Sequence, residues 1–414
     1  SFMFFRLATK RLLNRKGSVF LTIVAMSVSI FVLLGVEHIR NQAKENFQTT
    51  VSGVDLIVGA RTGSLNLLLY SVFRIGAPTN NLGWDSYTRI ASDPAVKWSI
   101  PISLGDSHKG YRVVGTTSDY FTHFSYGARN RLQFASGEPF LKIFDVVLGS
   151  EVAEKLRYSI GTNVVLAHGL GKTSFSLHED KPFRVVGILV PTGTPVDQSL
   201  QISLQGMEAI HNNQRINQTL RETPINIDQL ELKQFQPKTI TAFMLGLTSK
   251  IATFKVQRKI NNFSSEPLTA ILPGVALSEL WQMMKVIENT LRLVSVLILM
   301  SALLGLSAMM LASIRERRHE IYLLRVIGAP PIFLFLLIEL EALLISMISI
   351  AVGTLALFIG LLVTSDLMAS NYGLNISANI FAQNNLIYAC MIILATMIAA
   401  AIPSFTAYKS AKVN

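Results

Sequence analysis

Four apolar runs stand out along the chain: Gly17 to Val36, Ile287 to Ile314, Ile332 to Val363 and Leu386 to Tyr408. Each is long enough to cross a hydrocarbon core, which takes roughly 20 helical residues at about 1.5 Å rise apiece. Between the first and second, the pattern shortens to β-like runs broken by Gly, Pro, Asn and Asp. Strands are expected at Asp55 to Gly59, Lys97 to Leu104, Tyr111 to Gly115, Val146 to Leu148, Asn163 to Ala167, Phe183 to Val190 and Thr239 to Leu247. Helices are expected at Trp84 to Ser92, Glu151 to Leu156, Leu204 to Gln214 and Ser249 to Asn262. The pattern predicts an α-helical membrane protein with four transmembrane helices, one before and three after a large α+β domain (1+3).

Within that domain, residues 37–286, the strand-helix-strand order around Asp55 to Leu104 recurs over Thr239 to Leu272. Residues 51–116 and 237–275 are therefore read as two related lobes, with 117–236 as an insertion between them. The join to the membrane says more. Leu277, Leu280, Met284, Ile287, Leu291 and Val294 recur every three or four residues, the apolar seam of a helix that packs lengthwise on another. No Gly or Pro interrupts the seam before the second span, so this helix is expected to begin as a stalk outside the bilayer. The polar, helix-compatible stretch Glu37 to Thr50 is its expected partner.

The chain is 50% hydrophobic and 15% charged, more apolar than one soluble core requires yet with a sizeable water-facing part. A net charge of +11 would suggest nucleic acid if it were spread over a soluble surface. It is instead concentrated: Arg6, Lys10, Arg11, Arg15 and Lys16 precede the first run, Arg315, Arg317, Arg318 and Arg325 lie between the second and third, and Lys409 and Lys412 follow the fourth. Residues 364–385 carry no Lys or Arg and one acid, Asp366. The positive-inside rule then places residues 3–16, the 315–331 loop and the 409–414 tail in the cytoplasm. It places the 37–286 domain and the short 364–385 loop in the periplasm or its equivalent, outside an inner (plasma) membrane crossed at 17–36, 287–314, 332–363 and 386–408. No nucleic-acid partner is expected. The first run lacks a small-residue cleavage site before Glu37 and reads as an uncleaved anchor. Cys390 lies in an apolar run, so no disulfide framework is expected.

The loop from Ser313 to Ala329 carries the most specific pattern. On a helix, Ile321, Leu324 and Ile327 or Gly328 share a face, a shape suited to a groove on a soluble partner. A basic helix resting on anionic lipid would need no such partner, but Glu316 and Glu320 oppose pure lipid attraction. The residues resemble those of MacB-like or FtsX-like ABC transporter permeases, a family that includes lipoprotein-releasing and macrolide-exporting types. The pattern E-R-x-x-E-I-x-x-L-R-x-x-G-A is given by Glu316, Arg317, Glu320, Ile321, Leu324, Arg325, Gly328 and Ala329. It continues in Ile338 to Ala342 and Gly353 and in Ile402-Pro403, Ala407 and Ala411-Lys412, and the basic stretch Phe5 to Lys16 resembles the family's N-terminal amphipathic helix, here residues 3–16 on the cytoplasmic side.

This resemblance covers nearly the whole membrane portion, and the two related lobes of the outer domain would make up the family's porter-like part. It implies a permease dimer, with itself or a paralogue, bound to two copies of a separate ATPase subunit that supplies ATP and Mg. The chain itself would bind no cofactor and would not be an enzyme. ATP-driven closure would pass through the coupling residues Glu316, Arg317, Glu320, Ile321, Leu324, Arg325 and Gly328 and through the stalks. The work done would be export, extraction or release of an amphipathic, lipid-linked or peptide cargo. A periplasmic adaptor or lipoprotein is a further partner, and the spans contact membrane lipid.

Other candidate chemistry is thin. Gly169 to Thr173 mimics part of a Walker A loop, but Leu166 stands where the motif needs Gly, so it reads as a hairpin turn. His178, Glu179 and Asp180 are adjacent and on a strand would point to opposite faces, while His168 and His211 have no zinc spacing. No metal site is expected. Pro191, Thr192, Gly193, Thr194, Pro195 and Asp197 form a turn-rich segment without residues suited to burial, a candidate partner or substrate loop with a plain surface turn as the alternative. Glu339 and Glu341 lie near the start of the third span, suited to a proton path or, given their closeness to the cytoplasmic face, to pairing with loop arginines. Gly305, Ser307, Ala308, Gly353 and Gly360 allow close helix approach. A membrane-anchored sensor or scaffold shares this topology, and association with an ATPase separates the two readings.

Overall fold

The computed structural model describes residues 2–168, 182–211, 236–372, 376–377, 379–380 and 383–412. The chain forms two units. One comprises Ser1–Gln42, Met284–Asp366 and Ile376–Asn414; the other comprises Ala43–Met283 with Leu367–Asn375.

The first unit is helical. Helix α1 spans Phe2–Leu13, α2 Lys16–Thr50, α9 Pro273–Glu316, α10 Arg318–Val326, α11 Pro331–Tyr372 and α12 Gln383–Lys412. Among the described residues, Lys16–Thr50, Pro273–Glu316, Pro331–Met368 and Asn385–Lys412 are long and apolar enough to cross a membrane. They pack around Met26, Leu306, Leu334, Ala342, Ile345, Ala400 and Ala407, all nearly inaccessible. Small residues set the contacts. A Cβ on Gly353 would sit 2.9 Å from the Ser27 carbonyl oxygen, so α2 and α11 meet backbone to backbone there. Gly305 faces open space, and its neighbour Ser307 makes the contact instead. Pro403 lies inside α12 and has no N–H to give the carbonyl of Ala399. The Ser307 hydroxyl of α9 donates to that carbonyl at 2.5 Å and so satisfies it within a region where water cannot.

The second unit is α+β. Among the described residues, eleven strands form one sheet in the order β15-β1-β14-β3-β4-β12-β8-β11-β7, with β10 paired to β3 and β9 to β11. They are β1 Leu56–Ala60, β3 Val96–His108, β4 Tyr111–Thr116, β7 Phe134–Gly137, β8 Asp145–Leu148, β9 Asn163–Val164, β10 Ala167–His168, β11 Phe183–Leu189, β12 Ser199–Ser203, β14 Ala242–Leu247 and β15 Leu268–Ile271. Two-residue pairs, β13 Thr239–Ile240 with β2 Leu82–Gly83 and β5 Ser125–Tyr126 with β6 Asn130–Arg131, complete the strands. The helices are α3 Ser64–Ser71, α4 Trp84–Ala91, α5 Asp119–His123, α6 Ser150–Leu156, α7 Leu204–His211 and α8 Ala252–Asn261.

The expected division into two lobes and an insertion takes a different form. The 13-residue β3 pairs with β14 along its first half and with β4 along its second, and its register shifts between Leu104 and Ser107. Strands from residues 117–236 then extend the same sheet through β12, which runs parallel to β4. The boundary thus lies inside a strand, not at residue 117, because one continuous ladder satisfies backbone groups that two separate sheets would leave as edges. One half of the sheet packs a core of Leu56, Val58, Phe243, Leu245, Val256 and Ile260, the other a core of Val113, Val146, Leu148, Phe183, Leu200 and Ile202. A third core includes Ala43, Phe47 and Val51 of α2 and Ala276 and Leu277 of α9. There the Phe47 ring meets Phe73 at 4.4 Å and Trp281 at 5.7 Å, both edge-on.

Candidate functional site

The ends of the apolar helices gather the residues expected to couple to a partner. Helix α9 stops at Glu316, Arg317 breaks the helical path, and α10 starts at Arg318. At about 100° per residue, Ile321 and Leu324 turn inward. Ile321 is buried and packs with Ile314, and Leu324 leans on the same core. The end of α10 is a Schellman motif: the Ala329 N–H donates to the Leu324 carbonyl at 3.0 Å and the Gly328 N–H to the Arg325 carbonyl at 2.8 Å. This closure needs a left-handed residue, and Gly328 supplies it at φ +93°. Pro330 and Pro331 follow, and Pro331 opens α11, where a missing N–H does no harm. The Leu-Arg-x-x-Gly-Ala part of the sequence pattern is thus a helix stop.

The exposed face of α10 differs from the one the sequence suggested: Ile321 is buried and Leu324 half-buried, so both anchor the helix. Leu323, Val326 and Ile327 are exposed, Ile327 at 82%, and together form an apolar edge beside the helix stop. The spacing 323, 326, 327 is itself a helical stripe, and that second stripe was the available signal.

Charges fasten this region. Glu316 pairs with Arg15 at 3.0 Å, and Arg15 also donates to the Met309 carbonyl at 3.0 Å, tying the start of α2 to the end of α9. Glu320 pairs with Arg317 at 3.3 Å. Glu341 pairs with Arg11 of α1 at 3.0 Å, and Glu339 accepts from the Ser404 hydroxyl of α12 at 3.1 Å. Both carboxylates are buried, and their partners come from the two termini, not from the loop arginines that sequence distance had favoured. A carboxylate in an apolar span is tolerated when such a partner meets it.

The stalk seam also requires correction. Leu277 is buried in the second unit, and Leu280 and Met284 are half-buried. Ile287, Leu291 and Val294 are exposed at 64%, 42% and 45%, so the seam does not continue against α2. The face turned to α2 carries Glu288 and Arg292, which meet Arg40 and Glu37. Ion pairing to the polar start of the Glu37 to Thr50 stretch selects this face over the apolar one.

The turn from Pro191 to Asp197 is not a free contact loop. The buried Asp197 carboxylate accepts from Thr192 N at 2.8 Å, Thr192 Oγ1 at 2.7 Å and Gly193 N at 2.8 Å, and Thr194, Pro195 and Val196 are buried with it. Burial pushes the Asp197 pKa up, while these donors oppose the shift. Only Pro191 is exposed, and Gly193 is half-buried. The polar side chains that looked available close the turn on itself.

His211 Nε2 lies 3.2 Å from the fully buried Asp106, which raises the His211 pKa by hydrogen bonding. His108, two residues along the same strand, sits between the Val165 carbonyl at 2.6 Å and the Tyr158 hydroxyl at 2.8 Å, and burial lowers its pKa. Among the described residues no group of three His, Cys, Asp or Glu could hold a metal ion. The stretches Gly169 to Thr173 and His178 to Asp180 lie outside the described residues.

Two family descriptions match the chain: the MacB-like periplasmic core domain over residues 19–262 and the FtsX-like permease C-terminal over residues 292–411. No curated protein matches. Among solved structures, the periplasmic region of MacB from Actinobacillus actinomycetemcomitans is similar at 10% identity and a TM-score of 0.35, covering 56% of this chain and 94% of that one. The extracellular domain of the ABC-type transporter YknZ from Gram-positive bacteria is similar at 12% identity and a TM-score of 0.30, covering 53% of this chain and 98% of that one.

Proposed function

Because the chain belongs to the family of MacB-like and FtsX-like ABC transporter permeases, we propose that it relays ATP-driven motion of a separate ATPase to its periplasmic domain. The exposed edge of Leu323, Val326 and Ile327 carries this reading. An apolar edge held rigid by a buried anchor and a capped helix end is suited to a groove on a soluble partner, whereas in a chain working alone it would stay exposed to water. Two ATPase copies, each with ATP and Mg, would act on a permease dimer, with both termini in the cytoplasm. The basic ends of the spans support that orientation. The unbroken helices α2 and α9 would carry the displacement outward. The cargo class that suits a periplasmic mechanical device is an amphipathic, lipid-linked or peptide molecule, handled with an adaptor or lipoprotein partner.

The test is co-purification of the full chain with an ABC ATPase subunit from its own host. Leu323→Glu together with Ile327→Glu should abolish the association and leave the thermal stability of the chain unchanged. A chain that purifies alone as wild type, or a doubly substituted chain that still binds ATPase, would turn the reading toward a membrane-anchored sensor or scaffold.

A further inference from the structure

Helix α10 has a second side, turned away from Leu323 and Ile327. Arg318, Ile321, Tyr322 and Arg325 share it and, with Ile314 of α9 and Lys409 and Ser410 of α12, line a cavity of about 380 Å³. Among the described residues, three cations and no carboxylate line this space. The two loop acids that would oppose an anion are committed elsewhere, Glu316 to Arg15 and Glu320 to Arg317. Among the described residues, Arg318, Arg325 and Lys409 have no carboxylate oxygen within 4.0 Å. Like charges gathered without a counter-ion repel one another, and an anion between them removes that repulsion.

The depth of the cavity selects the anion. Ile314 ends the second apolar run and Lys409 directly follows the fourth, so both walls stand where a span leaves the hydrocarbon and enters the headgroup layer. Ile314, Ile321 and Tyr322 add an apolar side. A phosphate attached to acyl chains meets both requirements, cations around the phosphate and apolar surface along the glycerol. We propose that this cavity binds the phosphate headgroup of an anionic phospholipid of the cytoplasmic leaflet. The assignment rests on the orientation given above, which puts α10 in the cytoplasm. It makes α10 a two-sided element, with lipid behind it and a protein partner in front. Anionic lipid would then steady the helix that receives the ATPase.

Lipid binding is read without the ATPase, so that result is separate from the coupling proposal, and ATPase association serves only as a second readout. The full chain in neutral detergent is titrated with phosphatidylglycerol, phosphatidylcholine or inorganic phosphate, and bound lipid is counted by native mass spectrometry alongside the melting temperature. Phosphatidylglycerol should bind and raise the melting temperature, and phosphatidylcholine should not. Each of Arg318→Gln, Arg325→Gln and Lys409→Gln should weaken phosphatidylglycerol binding about fivefold. Arg6→Gln, a basic change outside the cavity, should leave it unchanged. Lys409 is exposed, so its substitution decides the matter even if an α10 variant fails to fold. The assignment is overturned if Lys409→Gln binds phosphatidylglycerol like wild type, or if inorganic phosphate alone gives the full effect. It is equally overturned if the three substitutions abolish ATPase association in phosphatidylcholine nanodiscs while lipid binding persists, because the cavity would then receive an acidic side chain of the partner.

Discussion

Glu37 and Arg292 join the first and second spanning helices at the far end from the 315–331 loop: Arg292 donates to Glu37 through Nε at 2.8 Å and again through Nη2. Two more charges close a ring. Arg292 reaches Glu288 at 3.0 Å, Glu288 meets Arg40 at 2.7 Å, and Arg40 returns to Glu37 at 3.3 Å. Charges alternate around the ring, so each carboxylate has two cationic neighbours. With Arg15 and Glu316 at the other end, α2 and α9 are pinned to each other at both ends of their apolar runs.

The ring predicts energetic coupling between its members. Glu37 is almost inaccessible and Arg292 about one-third exposed, so removing one partner should cost about 1–3 kcal/mol, below the cost for a fully buried pair. A double-mutant cycle with Glu37→Gln and Arg292→Gln, read by denaturant unfolding in detergent, should show the second loss to be smaller than the first. Strictly additive losses would mean that the two helices are held together by something else.

Anchor and contact residues on α10 should separate cleanly. Ile321→Ala removes a buried side chain and should destabilise the helical unit by about 2–4 kcal/mol. Ile327→Ala touches only exposed surface and should change stability by less than about 0.5 kcal/mol while weakening ATPase association. Thermal melts of the chain alone, set beside pull-down yields, distinguish the two. The reverse pattern would restore Ile321 as the contact residue.

The division between what could be read from the chain and what could not follows from where the information sits. The apolar spans and strongly apolar strands such as Val146 to Leu148 carry their burial in their own composition, and they lie where hydropathy places them. Strand β12, Ser199–Ser203, was missed because its sequence, SLQIS, is polar at alternate positions, yet all five residues are buried between β4 and β8. Its strand character comes from two neighbours that are distant in sequence. The burial of the loop residues was illegible for a related reason. The i, i+3, i+4 rule identifies a stripe but not which stripe faces inward, and here Ile321 is buried while Leu323 is exposed. Glu341 found Arg11 across more than three hundred residues of sequence, a pairing that no local pattern encodes.

The two histidines near Asp106 give the outer domain a pH dependence with two arms. His211 has a raised folded pKa, so its contribution to stability is fully present below about pH 6.5 and is lost as pH rises through the folded value. His108 has a lowered folded pKa, so the unfolded chain takes up its proton first, and stability is lost as pH falls from about 6.5 through the folded value. The unfolding midpoint of the outer domain in the full chain should therefore decline toward both acid and alkaline sides. His211→Gln should flatten the alkaline arm only. An alkaline decline of undiminished slope in that variant would assign the effect to other groups.

Ser307 and Pro403 should depend on each other in a way that ordinary packing would not produce. Pro403 leaves the Ala399 carbonyl without an intrahelical donor, and the Ser307 hydroxyl fills that vacancy from the neighbouring helix. Ser307→Ala should therefore cost about 0.5–1.5 kcal/mol in the native background, the range of single side-chain hydrogen bonds between membrane helices. In a Pro403→Ala background, the restored N–H at position 403 serves the same carbonyl, and the loss from Ser307→Ala should fall close to zero. Unfolding in detergent of the four proteins of this cycle measures the difference. If the Ser307→Ala loss is the same with and without proline, the hydroxyl contributes by packing, and the proline plays no part in drawing α9 to α12.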